Sequence, residues 1–94
     1  MNLIVVYDIG DNRKRQAFAE KLQYLGLARV QRSVFVGKGG SGLAKDIMRI
    51  AQRLIDPKND SVIIFIVPGE AIRKAMIVGT PWGEPHDIQA VTII

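Results

Sequence analysis

The chain has no cysteine, one histidine and one tryptophan, and its longest unbroken apolar runs, Leu3 to Tyr7 and Val62 to Val67, are short. Without cysteine there is no disulfide, no thiolate metal site and no cysteine nucleophile. A bilayer span needs about 20 apolar residues, so neither run spans a membrane and no membrane partner is expected. The N-terminus enters a strand-like run at once, with no basic n-region and no small-residue cleavage site. No signal peptide is therefore predicted, and a cytoplasmic location is expected. Acidic residues are also scarce: 9, against 13 lysines and arginines.

What is present reads as one globular domain over residues 1–94. Apolar residues make up 48% of the chain, a globular rather than a disordered content. A core of this size is modest, so oligomerisation would aid stability. The net charge of +4 is unevenly spread. Arg13, Lys14, Arg15, Lys21, Arg29, Arg32, Lys38, Lys45, Arg49 and Arg53 share one stretch with only two acids, Glu20 and Asp46. Such a surface attracts polyanions through counterion release.

Periodicity assigns the elements. Residues 2–8 form a continuous apolar run ending in a carboxylate, the pattern of a buried strand. Gly10, Asp11 and Asn12 supply turn and cap chemistry. A helix follows to about residue 24, with Phe18, Leu22 and Leu25 at helical spacing and Gly26 as its stop. Residues 28–36 read as one strand. Strict alternation sends Val30, Arg32, Val34 and Val36 to one face and Arg29, Gln31, Ser33 and Phe35 to the other. A second helix is predicted over residues 41–55. Leu43, Ile47, Ile50, Ala51 and Leu54 face inward, and Lys45, Arg49 and Arg53, each four apart, make a basic outer stripe. Residues 61–67 are a β-branched strand. Residues 71–78 suggest a helical turn leading into a fourth strand over 75–78, and 88–94 reads as an apolar terminal strand. The predicted class is α+β: a ferredoxin-like β-α-β-β-α-β arrangement, an antiparallel sheet with two helices on one face. The terminal strand is a candidate for exchange with the sheet edge of a dimer partner.

Asp8 is the first chemical candidate. A carboxylate where a strand leaves its sheet can hold Mg²⁺ with water filling the other positions, and two-fold symmetry could bring a second copy beside it. Equally, Asp8 could be a turn residue ahead of Asp11 as the cap. Residues 37–42, Gly-Lys-Gly-Gly-Ser-Gly, match the dinucleotide fingerprint G-x-G-x-x-G. The chain is too short for paired nucleotide halves, however, and Asp60 precedes the next strand instead of ending it. Loop amides meeting a backbone phosphate are the better reading. His86, beside Glu84 and Asp87 in a Pro-rich stretch, reads as structural. Trp82 reads as a packing residue. Ser33 has no histidine base nearby in sequence to activate it.

Several segments together resemble a known family. Tyr7-Asp8-Ile9, Asp11 and the Arg13-Lys14-Arg15 cluster resemble its opening motif. Leu22, Tyr24, Gly26 and Leu27 resemble the end of its first helix, and Arg29-Val30-Gln31-Arg32-Ser33-Val34-Phe35 with Gly37 its R-x-Q-x-S-V-F segment. The family is the small CRISPR-associated core protein of spacer acquisition, which partners the CRISPR integrase. The resemblance implies a ferredoxin-like homodimer packed sheet to sheet, with the C-terminal strand of about 88–94 crossing over. It implies Asp8 as catalytic and metal-binding residue, one from each protomer sharing a Mg²⁺ ion, with Tyr7, Arg15, Arg29, Ser33 and Phe35 in support. Some members are metal-dependent endonucleases on single-stranded RNA or duplex DNA, and in adaptation the dimer bridges integrase dimers along spacer-precursor DNA. Arg13, Lys14, Arg15, Arg29, Arg32, Lys38, Lys45, Arg49 and Arg53 would then contact nucleic acid. One departure matters: the family often has two alternate basic residues early in the first helix. Arg15 fits the first, and Ala17 occupies the second.

Rival classes stay open at this stage. They are a toxin-type ribonuclease of the same fold, a ferredoxin-like domain binding a small regulatory molecule, and a plain interaction module.

Overall fold

The computed structural model describes residues 1–82. The order is β1 (Asn2–Asp8), α1 (Asn12–Tyr24), β2 (Ala28–Gln31), β3 (Val34–Lys38), α2 (Ser41–Leu54), β4 (Ser61–Val67) and a short α3 (Gly69–Arg73). The four strands form one sheet in the order β2-β3-β1-β4, every neighbouring pair antiparallel. This is the ferredoxin-like arrangement expected, with α1 and α2 covering one face.

Local signals set most element ends. Asp11 caps α1, its Oδ2 accepting the Lys14 N–H at 2.9 Å. At the other end Gly26 has φ +94. Its N–H donates to the Gln23 carbonyl, and the Leu27 N–H donates to the Leu22 carbonyl, both at 3.0 Å. These bonds make a Schellman motif, with Leu22 and Leu27 both in the core. Because φ is positive there, Gly26→Ala is expected to lower stability by about 1 kcal/mol, measured by urea denaturation.

Two expectations are corrected by pairing. Residues 28–36 are a hairpin and not one strand: the chain reverses at Arg32-Ser33, between β2 and β3. Among the described residues no non-glycine residue has positive φ, so the reversal uses ordinary residues, and no glycine or proline marks it. The hairpin supplies the strand that the sequence pattern lacked before the second helix. The predicted alternation also breaks, because Arg29 pairs with Phe35 but Gln31 with Val34. Val30 is the extra residue of a β-bulge. Arg29 therefore stays with Phe35 on the helix side, while Gln31 shares the opposite face with Val34. The second correction concerns 75–78. The helical start forms as α3, but residues 75–78 form no strand. The expected strand at 88–94, with Glu84, His86 and Asp87, lies outside the described residues.

The core lies between sheet and helices. Leu3, Val5, Tyr7 and Phe35 from the sheet meet Phe18, Leu22, Ala44, Ile47 and Ala51 from the helices. Each large side chain buried there contributes roughly 1.5–3 kcal/mol. Gly37 belongs to β3, not to a loop. A Cβ on it would lie 2.9 Å from Leu27 Cγ, so the close approach of β3 to Leu27 requires glycine. The fingerprint-like run 37–42 is thus part strand, part turn and part helix. β3 and β4, which flank α2, are separated by β1, so no dinucleotide crevice forms.

The other sheet face is also apolar. Register places Ile4, Val6 and Asp8 of β1 beside Val34 and Val36 of β3 and Ser61, Ile63 and Phe65 of β4. Ile72 of α3 and Trp82 cover one end of it, packing against Val36, Ile4, Val30 and Val67. Trp82 is thus a packing residue, as expected. Ile63 and Phe65 remain about half exposed. Among the described residues no helix is long and apolar enough to cross a membrane.

Candidate functional site: a cationic cleft at the end of the first strand

β1 emerges from the sheet into a cleft of about 920 Å³ between α1 and the β2–β3 hairpin. Its lining includes Tyr7, Asp8, Arg15, Arg29, Arg32 and Ser33. Six of the residues expected from sequence therefore converge from four parts of the chain. Asp8 is exposed and ends β1. Among the described residues no hydrogen bond or ion pair engages its carboxylate. Asp11 caps α1, so Asp8 is not needed for that task.

Arg15 is half-buried and held. Nη1 donates to the Ile9 carbonyl at 3.0 Å, and Nη2 donates to Asn12 Oδ1. Arg29 lies over the ring of Phe35, its Cζ 5.3 Å from the centroid, a cation–π contact that supports the guanidinium from below. Phe35 is fully buried, so it is a platform for Arg29 and not part of the lining. The Ser33 carbonyl accepts the Tyr7 N–H at 3.1 Å, tying the hairpin turn to β1. The Tyr7 ring packs edge-on against Phe18 at 5.2 Å and stacks near Phe35 at 6.2 Å. Among the described residues its hydroxyl is the buried side-chain polar atom without a hydrogen-bond partner.

Other expected contacts lie elsewhere. Arg13 and Lys14 are exposed on the first turn of α1. Lys38 pairs with Asn2 at the opposite end of β1, about 20 Å from Asp8 at the usual rise per residue. Lys45, Arg49 and Arg53 are exposed on α2, where Arg49 forms an ion pair with Asp46 at 3.1 Å. Among the described residues no acid pairs with Arg13, Lys14, Arg15, Arg29, Arg32, Lys45 or Arg53. The stripe and the cleft are thus two cationic patches.

Sequence reasoning did not find Asn12, Gln16, Glu20 and Gln23, which line the cleft from α1. Their spacing of three and four is a helix-face signal, but only packing against the hairpin turns that face into a wall. Asp60 was likewise missed. Its Oδ1 accepts the Gly10 N–H at 3.0 Å, and its Oδ2 accepts the Asp56 N–H at 2.9 Å. Asp56 is held below the ordinary aspartate value of 3.8 by the backbone N–H of Lys58, then by the Asn59 side chain.

As to metal binding, no group of three or more histidine, cysteine or acidic side chains gathers among the described residues. At the tip of β1 one protomer offers the Asp8 carboxylate, while Glu20, the other acid of the cleft, stands on the α1 wall. A hard cation that keeps several waters needs only one or two. Asp8 shares a face with Val6 and Ile63, so a copy packed on that face about a two-fold axis could supply the second.

Sheet order, helix placement and register define the class: a ferredoxin-like α+β protein with a carboxylate at the tip of its first strand and a cationic cleft beside it. The chain belongs to the family described as CRISPR associated protein Cas2, whose family model matches residues 1–75. It is 38% identical over 92 residues to the CRISPR-associated endoribonuclease Cas2 of Aeropyrum pernix, covering 98% of this chain and 97% of that one. It is 39% identical over 76 residues to a CRISPR-associated endonuclease Cas1/endonuclease Cas2 fusion of Thermoproteus tenax, covering 81% of this chain and 29% of the fusion. Among solved structures, a hypothetical protein of Thermus thermophilus matches with a TM-score of 0.71 at 34% identity, covering 84% of this chain and 90% of that one. The Cas2 of Streptococcus pyogenes matches with a TM-score of 0.67 at 29% identity, covering 84% and 100%.

Proposed function

We propose that the chain works in CRISPR spacer acquisition as a homodimer packed through the open sheet face, gripping nucleic acid by its phosphates and cleaving phosphodiester bonds with a divalent cation. The carrying observation is the position of Asp8. It ends β1 on the apolar face, beside Arg15, Arg29 and Arg32 in the cleft. Two-fold packing there would cover Ile63 and Phe65 and set two Asp8 carboxylates near the axis. Relatives named endoribonuclease support RNA as a substrate. The Cas1/Cas2 fusion supports an integrase as partner and, with it, duplex DNA as a scaffolded ligand.

In mechanism, Mg²⁺ held by both Asp8 carboxylates would polarise the phosphodiester and lower the pKa of a bound water. The chain's own residues do the positioning. Arg15, fixed by Ile9 and Asn12, and Arg29, stacked on Phe35, present guanidiniums to the phosphoryl oxygens, where developing charge is best stabilised by donors that need not reorganise. Ser33 and Tyr7 shape the wall. Ala17 carries no charge, so the cleft side of α1 grips the phosphate through Arg15.

The scaffold half of this reading is tested by binding. Affinity for duplex DNA is expected to be independent of sequence and to fall steeply with salt. Reversing Lys45, Arg49 and Arg53 to glutamate is expected to weaken duplex binding by at least tenfold at low salt, roughly 1.4 kcal/mol, measured by fluorescence anisotropy with a pull-down of the integrase alongside. Unchanged binding by that variant would remove α2 from the nucleic-acid surface. Binding indifferent to salt would remove the phosphate-grip mechanism itself.

A further inference from the structure

The peptide unit joining Ile9 to Gly10 is gripped at both ends by charged side chains from distant parts of the chain. Its carbonyl accepts from Arg15 Nη1 at 3.0 Å, and its N–H donates to Asp60 Oδ1 at 3.0 Å. The cation meets the negative end of the peptide dipole and the anion meets the positive end, so the two bonds polarise one another in the same sense. Asp60 is itself fixed by its loop. Its Oδ2 accepts the Asp56 N–H, and its own N–H donates to the Asp56 carbonyl at 2.8 Å. The next residue, Ser61, pairs with Asp8. The clamp thus sits just beyond the last rung of the β1–β4 ladder, where β1 hands over to the turn.

We propose that Asp60 is a positioning residue for the site at the tip of β1: by holding the Ile9–Gly10 peptide it sets the guanidinium of Arg15 and the direction in which the chain leaves Asp8. The proposal rests on the cleavage reading above. Arg15 has two acceptors, the Ile9 carbonyl and Asn12 Oδ1. Asn12 lies on the same helix as Arg15, so Ile9, the residue after Asp8, is the acceptor that ties the guanidinium to the end of β1. A peptide free to rotate breaks that tie. The plainer alternative makes Asp60 a staple between two loops with no influence on Arg15. The two differ in whether Asp60 and Arg15 act as one unit.

Asp60→Ala, Arg15→Ala and the double variant are compared in divalent-cation-dependent cleavage of single-stranded RNA by the full-length protein. Gly26→Ala, in the turn after α1 and not itself part of the cleft lining, is the control for lost stability. Each single variant at the clamp is expected to lower kcat roughly 10- to 100-fold, the scale of a misplacement near 1 Å, with KM little changed. The double variant is expected to fall within about twofold of Arg15→Ala, since residues acting as a unit do not add. Gly26→Ala is expected to keep wild-type kcat. Additive losses, or a loss that Gly26→Ala reproduces, overturn the proposal in favour of the staple. A second readout needs no activity: in Asp60→Ala the Arg15 Nε–Hε NMR resonance is expected to move toward the position of free arginine, and in Gly26→Ala to stay. An unmoved resonance in Asp60→Ala overturns the proposal. If the wild-type protein cleaves nothing, the nuclease reading fails alone and the Arg15 resonance decides the case of Asp60.

Discussion

Asp8→Ala is expected to abolish divalent-cation-dependent cleavage while leaving a folded dimer that still binds duplex DNA. Metal-ion polarisation supplies several kcal/mol of transition-state stabilisation, so the loss should be on the order of a thousandfold. The substitution should not unfold the chain. Asp8 is exposed, its carboxylate engages no partner among the described residues, and Asp11 caps α1. The check is cleavage of RNA and of duplex DNA with and without Mg²⁺, beside sedimentation and melting of the same sample. Cleavage at the wild-type rate by a pure Asp8→Ala dimer would place the chemistry elsewhere or in a contaminant. A purely structural aspartate predicts a different outcome, a lowered melting temperature with activity falling only in step.

The second large effect concerns the open sheet face. Phe65→Asp is expected to turn the proposed dimer into a monomer. Phe65 is half exposed and lies beside Ile4 of β1, with Ile63 one step along the same face. Covering a Phe contributes about 2 kcal/mol. A two-fold interface counts each substitution twice, so the dimer Kd should rise by at least about a thousandfold. The main core stays intact, because its sheet side chains lie on the helix face, and Val36, buried on the open face, is separated from Phe65 by β1. Analytical ultracentrifugation measures the change, and titration with Mn²⁺ of the same sample adds the functional link. A monomer with one carboxylate per site should lose tight metal binding together with cleavage. A Phe65→Asp protein that remains dimeric would move the interface off this face, and Asp8 would then lose its route to a second copy.

These outcomes bear on how the two proposed activities, cleavage and duplex binding, could share one scaffold. The cleft with Asp8 and the α2 stripe of Lys45, Arg49 and Arg53 are separate patches. A variant of one should spare the other, so cleavage and duplex binding are expected to come apart by mutation.

The sequence by itself determined the elements that local chemistry controls. The strands at 2–8 and 61–67 and the helix begun at Ser41 follow from apolar period alone, and Asp11 and Gly26 mark the ends of α1 because capping needs only neighbouring residues. It also put a carboxylate at the end of the first strand, since an apolar run that stops on aspartate exposes it. Tertiary structure decided what depends on pairing. The reversal at Arg32-Ser33 carries no glycine or proline, and only the partner strands reveal that residues 28–36 turn back. The bulge at Val30, fixed by register against β3, separates Arg29 from Gln31 and leaves Arg29 over Phe35. Register likewise set which face Asp8 shares, and the bond from Gly10 to Asp60 joins residues 50 positions apart. Local sequence carries the dihedral preferences and caps of a segment. The partner across a sheet or a loop contact is chosen by packing of the whole chain, and the cleft is assembled from such contacts.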